Sequence, residues 1–260
     1  MKYEKRICCF IDILGFRQHI KETVSENGED HEDKIQSIID IFELSKKMVD
    51  DSGFSKTKVV TYFSDSIVIS YEYTENSQLY HTIIDLLYLS FELANQGFLV
   101  RGGVTIGRLV HTKDVIFGPA MVEAYDLESK QAIFPRIIIK QDVVDNGIKY
   151  RQKNHSESDE LGYIEDIITM DEDGHYYIDY IAKADSEFND PEYDLFHYLE
   201  RLKEFFENYN GMNDDVQTKL RWLKQKINDH IALIHLNIEQ DDFDLELRDY
   251  YRMLKPLDIN

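Results

Sequence analysis

Two aspartates in this chain stand where carboxylates are costly. Asp12 lies in "CCFIDILGF", flanked by Phe10-Ile11 and Ile13-Leu14, and Asp65 lies in "YFSDSIVIS", flanked closely by Tyr62-Phe63 and Ile67-Val68-Ile69. A carboxylate taken out of water without a partner loses its solvation. Two brought together repel, and one of them is pushed to a higher pKa. A hard divalent cation removes both penalties, because Mg²⁺ is held by one or two carboxylates together with substrate phosphates. The chemistry this suggests is metal-assisted phosphoryl transfer. The same residues also fit two separate loop or N-cap carboxylates, and their spacing leaves both readings open.

Bringing such residues together requires strands that end at one place. Residues 6–13 read as a buried strand that Gly15 breaks, and Phe16–Thr23 opens a helix. Free N–H groups of Leu14, Gly15 and Phe16 at that strand-to-helix turn suit phosphate oxygens. Residues 25–33 are a polar loop, and the apolar stripe from Lys34 to Val49 predicts a helix. Residues 57–71 predict two strands paired around Ser64-Asp65-Ser66. A helix follows over 77–95, a glycine-bearing strand over 97–110, a helix opened by Gly118-Pro119, and a short strand over 136–140. The order is one sheet covered by helices, an α+β or α/β architecture. Beyond residue 140 the chain turns polar, with one more strand at 175–182 and amphipathic helices at 191–210 and 214–238. The expected division is a catalytic domain over 1–145 and an extension over 146–260, with one or two strands and two helices packed on the sheet. Residues 241–251 read as a solvated acidic end.

Composition narrows the function further. The chain has 260 residues, 43% of them hydrophobic, which suits one large domain or one domain with an appendage. A net charge of −21 repels nucleic-acid backbones and anionic membranes, so neither is an expected partner. No segment has the ~18–20 consecutive apolar residues of a membrane span, and the N-terminal residues do not form a signal peptide. A cytoplasmic protein is expected. Its two cysteines, Cys8 and Cys9, are adjacent and point to opposite faces of a strand, so they read as buried thiols rather than a bridge. An anionic substrate in so acidic a chain needs local positive charge. Arg101, Arg136 and Lys140, set in apolar strand contexts, are the candidates.

"FIDILGF" resembles the first metal motif of the class III nucleotidyl cyclases, Phe-x-Asp-Ile-x-Gly-Phe. Asp12 then matches the first metal aspartate, Ile13 the residue lending a backbone carbonyl, and Asp65 the second metal aspartate. "VRGGVTIGRLV" is similar to the family's Arg-x-Gly-x-x-x-Gly strand through Arg101, Gly103 and Gly107. "FGPAMVEAYDLES" resembles the next helix. The resemblance spans residues 7–140 and implies a ferredoxin-like palm. Thr61 stands where purine cyclases read the base, Val115 where a second base-reading aspartate falls, and Val122 and Asp126 where the transition-state asparagine and arginine fall. The pattern is most similar to the pyrimidine cyclases of bacterial Pycsar anti-phage systems.

That resemblance implies conversion of UTP, or less favourably CTP, to the cyclic monophosphate and pyrophosphate as a signal in antiviral defence. It implies two divalent cations, Mg²⁺ or Mn²⁺, on Asp12, Ile13 and Asp65, with Arg101 serving the transition state. Leu14, Gly15, Phe16, Arg136 and Lys140 would meet the phosphates. Thr61 and Tyr62 would meet the base, Tyr62 narrowing its pocket. A homodimer with sites at its interface, Arg101 reaching across, and a separate cyclic-nucleotide-responsive effector are also implied. The alternatives are a purine cyclase with unusual base contacts and a non-catalytic nucleotide-binding sensor.

Overall fold

Strand β1 (Glu4–Ile13) is the spine of the molecule, because its apolar run can be covered on both faces. The structure, a computed structural model, describes residues 2–51, 57–184, 187–207, 214–240 and 244–258. β1 pairs antiparallel with β3 (Ser66–Glu72) on one side and β4 (Val100–His111) on the other. β2 (Val59–Phe63) adds to β3 through the Ser64-Asp65 turn, where Ser64 takes φ 51°. β5 (Ile116–Phe117) folds back on β4. β6 (Ile137–Ile139) lies parallel to β4, followed outward by β8 (Tyr176–Ile178) and β7 (Ile168–Met170). The strand order is β2-β3-β1-β4-β6-β8-β7.

Side-chain alternation divides the two faces. One carries Ile7, Cys9, Ile11, Ile67 and Ile69 into the core. The other carries Cys8, Phe10 and Val68, which pack with Ala120 and Ala124 of α4 (Pro119–Lys130). α4 crosses β4 so closely that a Cβ at Gly103 would lie 2.7 Å from the Ala124 carbonyl oxygen. Glycine there lets the helix reach the end of the sheet that carries Asp12. Both cysteines are free and buried, and burial pushes the Cys8 thiol up to about 12, leaving it inert.

The remaining helices of this unit are α1 (Phe16–Glu22), α2 (Glu32–Asp51), α3 (Gln78–Asn95), α5 (Gln141–Lys149) and α6 (Glu157–Glu165). The chain divides into compact units Met1–Ile178 and Asp179–Asn260. Residues 146–178, expected in the extension, thus belong to the sheet's own unit, because β8 pairs with β6. The second unit contains α7 (Pro191–Glu207), α8 (Asp214–Ile238) and α9 (Leu245–Arg252), with Leu199, Leu202, Leu223, Ile227 and Ile231 buried. The expected solvated end is instead α9, capped by Asp244. Its Tyr251 is buried and donates to the Glu192 carbonyl at 2.7 Å.

Candidate active site

Three chain segments converge where β1 ends. Asp12 lies opposite Ser66 of β3 on one side and Arg101 of β4 on the other. The Ile13 amide donates to the Asp65 carbonyl at 3.2 Å, so the β2–β3 turn is stitched to the same point. Ser66 Oγ donates to Asp12 Oδ1 at 2.9 Å. Arg101 Nη2 stands 3.6 Å from Asp12 Oδ2, and its Nε stands 2.6 Å from Glu128 Oε1. Arg101 lies against Asp12 of its own chain.

Glu128, which the sequence reading placed in the helix motif of residues 117–129 without giving it a site role, is the added member. It is 2% exposed, far more hidden than acids usually are. Its signal was available: Ala120, Ala124, Leu127 and Glu128 follow helical spacing on the buried stripe of α4, so one position of that stripe is an acid.

The site is electrostatically unsettled. Burial raises the pKa of Asp12; the Ser66 hydrogen bond opposes this, Asp65 adds to it and Arg101 works against it. Burial likewise raises Glu128, with Arg101 lowering it and the Asp12 and Asp65 charges raising it. One guanidinium therefore meets two carboxylates, both of which also feel the charge of Asp65. Among the described residues, no group of three or more His, Cys, Asp or Glu is arranged to hold a metal ion by itself. Two crowded carboxylates at a partly open strand end nevertheless fit a divalent cation, which favours the ionised form that burial penalises. Such an ion would draw its remaining oxygens from a phosphorylated ligand and water.

The other expected residues divide. Thr61 lies opposite Val68, on the face that carries Phe10 and Asp12, with its hydroxyl 2.9 Å from His111 Nε2. Tyr62 faces the other way, 5.8 Å beneath the Lys46 ammonium, where it does not narrow a pocket beside Thr61. The Leu14 amide is already committed to the Leu99 carbonyl at 2.7 Å. Gly15, at φ 76°, makes the turn into α1, and the Phe16 ring packs on Phe42 of α2. Arg136 is fully buried and paired with Asp171 and Asp173 of the β7–β8 turn, so it is not brought to Asp12. Lys140 precedes α5 and pairs with Glu123 of α4. It lines a cleft of about 880 Å³ together with Val122, Asp126, His175 and Tyr176. Asp12, Asp65 and Arg101 do not line that cleft.

No family model and no curated protein matches the chain. Among solved structures, a bacterial light-regulated adenylyl cyclase is similar at 17% identity and TM-score 0.40, over 55% of this chain and 79% of that one. The guanylyl cyclase Cya2 is similar at 10% identity and TM-score 0.40, over 56% and 81%. The adenylyl cyclase CyaB from P. aeruginosa is similar at 14% identity and TM-score 0.40, over 68% and 94%. Similarity at this level assigns no activity to this chain. No helix among the described residues is long and apolar enough to cross a membrane.

Proposed function

We propose that this chain is a nucleotidyl cyclase of class III type, acting on a pyrimidine nucleoside triphosphate, with UTP favoured over CTP. One observation carries the reading: Asp12, the Asp65 turn, Arg101 and the buried Glu128 meet at one strand end, with Asp12 pushed toward protonation in the absence of a cation. Asp12 and Asp65 would hold Mg²⁺ or Mn²⁺. When bound, these ions supply neutralisation of the triphosphate and a lowered pKa for the ribose 3′-hydroxyl. Arg101 is the group of this chain placed to offset charge developing on the α-phosphoryl oxygens. Glu128 holds the Arg101 fork in place as a positioning residue. The 3′-oxygen, its proton passing to solvent, forms its bond to the α-phosphorus as the α–β bridging bond breaks, and pyrophosphate leaves.

The pyrimidine preference is supported by Thr61, too short to make the contacts of a purine-reading lysine or glutamate. A homodimer is supported by large apolar side chains left in solvent on the Asp12 side of the sheet. Val122 is 61% exposed, and Tyr125, whose ring meets Phe10, is 51% exposed. A second copy laid on this face would bring the Lys140 cleft of one chain toward the aspartates of the other. A role in antiviral defence, with a separate effector answering the cyclic nucleotide, extends the same reading. The loss of the transition-state pair at Val122 and Asp126 favours a second reading, a sensor that binds nucleotide without turnover.

The test is incubation of the pure protein with Mn²⁺ or Mg²⁺ and ATP, GTP, CTP or UTP separately, with products read by mass spectrometry. Cyclic UMP or cyclic CMP with pyrophosphate is the expected result. A purine product overturns the base assignment, and no product at high enzyme concentration overturns the cyclase reading in favour of the sensor.

A further inference from the structure

A small cavity lies at the other end of the sheet from Asp12. β3 starts beside Asp12 at Ser66 and runs to Glu72, about 20 Å away at ~3.4 Å per residue, before the chain enters α3. The cavity, of about 220 Å³, sits between the start of α3 and the connection from α5 to α6. Ser77, Tyr80, Gln152, His155, Glu160 and Tyr163 are among the residues that line it. Its two sides are pinned together. The Ser77 amide donates to the Tyr150 carbonyl at 2.8 Å, and the Gln152 amide donates to Ser77 Oγ at 3.2 Å.

Glu160 is the buried carboxylate of this cavity, at 0% exposure. The other buried acids among the described residues meet permanent cations or backbone amides. Asp85 pairs with Lys58, Glu128 with Arg101 and Asp171 with Arg136, while Asp179 accepts from the Ile181 and Ala182 amides. Glu160 instead meets a histidine. Its Oε2 lies 2.8 Å from His155 Nδ1, and its Oε1 has no hydrogen-bond partner. Arginine and lysine keep their charge across the physiological range, and histidine does not. A buried carboxylate with one oxygen unanswered is costly and calls for a donor, best a charged one.

The wall beside Glu160 is aromatic. The Tyr80 and Tyr163 ring centroids are 6.0 Å apart, and those of Tyr163 and His155 are 5.2 Å apart. Such rings attract organic cations through their faces. The surrounding charge has the matching sign: the Tyr80 phenol is held above its ordinary pKa by burial first, then by Asp166, Tyr163 and Glu160. No group of three or more His, Cys, Asp or Glu among the described residues is arranged for a metal ion. The cavity is smaller than the ~300–1,000 Å³ of drug-sized pockets, so it suits a ligand of a few carbons. We propose that it binds a small primary aliphatic ammonium, whose N–H groups meet Glu160 and whose carbon chain lies against Tyr80 and Tyr163. A primary ammonium has hydrogens to give to the open Oε1, whereas a quaternary one has none. Nothing in this assignment depends on the chemistry at Asp12.

Isothermal titration calorimetry of the full chain with n-butylammonium chloride tests it, with ionic strength held constant by potassium chloride and tetramethylammonium chloride as the comparison. Saturable one-to-one binding of butylammonium is expected, with Kd about 1 mM or tighter, and tetramethylammonium should bind about tenfold more weakly or not at all. Glu160→Gln keeps an acceptor for His155 but removes the charge, and should weaken butylammonium about tenfold or more. Because Glu160 is buried, Tyr163→Leu serves as a second variant at a position 44% exposed. It should weaken binding about three- to fivefold. No saturable heat in wild type, equal affinity for tetramethylammonium, or unchanged affinity in Tyr163→Leu or in a folded Glu160→Gln overturns the proposal. Failure of the cyclase reading is seen separately, as absence of cyclic nucleotide, and leaves these titrations unchanged.

Discussion

Two arginines of the sheet unit meet carboxylates in opposite ways. Arg136 is fully buried, and its fork is divided between Asp171 and Asp173, which pins the β7–β8 turn against the start of β6. Burial opposes ionisation of Asp173, but the Arg136 and His175 contacts more than offset it and hold its pKa below the usual carboxylate range. Arg101 is 24% exposed, touches Asp12 and Glu128, and leaves both with raised pKa values while Asp65 adds a third negative group. Both clusters set one guanidinium against more than one carboxylate, but they relieve the excess differently. At Arg136 the second acid, Asp173, reaches solvent at 41% exposure and is held below the usual range. At Arg101 both contacted acids are largely buried and stay raised. A relieved cluster holds a turn in one arrangement, whereas an unrelieved one is what a cation and an anionic substrate can complete.

The largest expected effect is at Asp12. Asp12→Asn keeps the Ser66 hydrogen bond but removes the charge, and cyclic nucleotide formation should fall about 10³-fold or more. The same variant should melt higher than wild type without metal at neutral pH. A carboxyl whose folded pKa is raised binds protons more tightly when folded, so its stabilising contribution is lost as pH rises through that pKa. About 1 kcal/mol regained corresponds to roughly 2–4 °C in Tm for a unit of this size. Loss of activity together with loss of fold would break the comparison.

Methionine at each arginine sharpens it. Arg136→Met strands Asp171 in the interior and should cost about 3–5 kcal/mol, seen as a lower denaturation midpoint. Arg101→Met leaves the buried Glu128 without its cation and should cost about 1–3 kcal/mol, less than Arg136→Met because Arg101 itself is partly solvated, while lowering kcat about 10²–10³-fold. Glu128→Gln comes next, with kcat down about 10–100-fold and KM little changed, as expected for a residue that aims another. The smallest effect concerns pH. His111 has its folded pKa lowered to about 4 against an ordinary 6.5, so the unfolded chain binds more protons between those values. Stability should fall as pH drops through that window, and His111→Gln should flatten the slope.

The two metal-site candidates were legible because a carboxylate inside an apolar strand is conspicuous, and Ser64-Asp65-Ser66 breaks an otherwise continuous β pattern. Arg101 was legible through its glycine-spaced strand, but Arg136 looked just as good. Both arginines border apolar strands, and only the β7–β8 turn, more than 30 residues downstream, settles the fate of Arg136. His111 was invisible for the same reason, since its partners Ser70 and Thr61 lie on other strands. α5 and α6 were hidden by polar composition, although Ser156 and Asp159 form a capping box at the spacing that announces a helix. α9 was hidden by acidity, its own buried side being Tyr251 alone, with Leu254 buried just past its end. Local pattern thus located strands and the residues out of place on them; long-range pairing decided which charges were satisfied.

The most direct test of the central claim, that the Asp12 cluster is completed by a cation and a triphosphate, is thermal melting of wild type and Asp12→Asn with saturating UTP, with and without Mn²⁺. Ligand at 100 times its Kd contributes about 2.7 kcal/mol. Mn²⁺ should therefore raise the wild-type Tm by roughly 5–10 °C and leave Asp12→Asn unmoved. An equal rise in both proteins, or none in the wild type, would contradict the account.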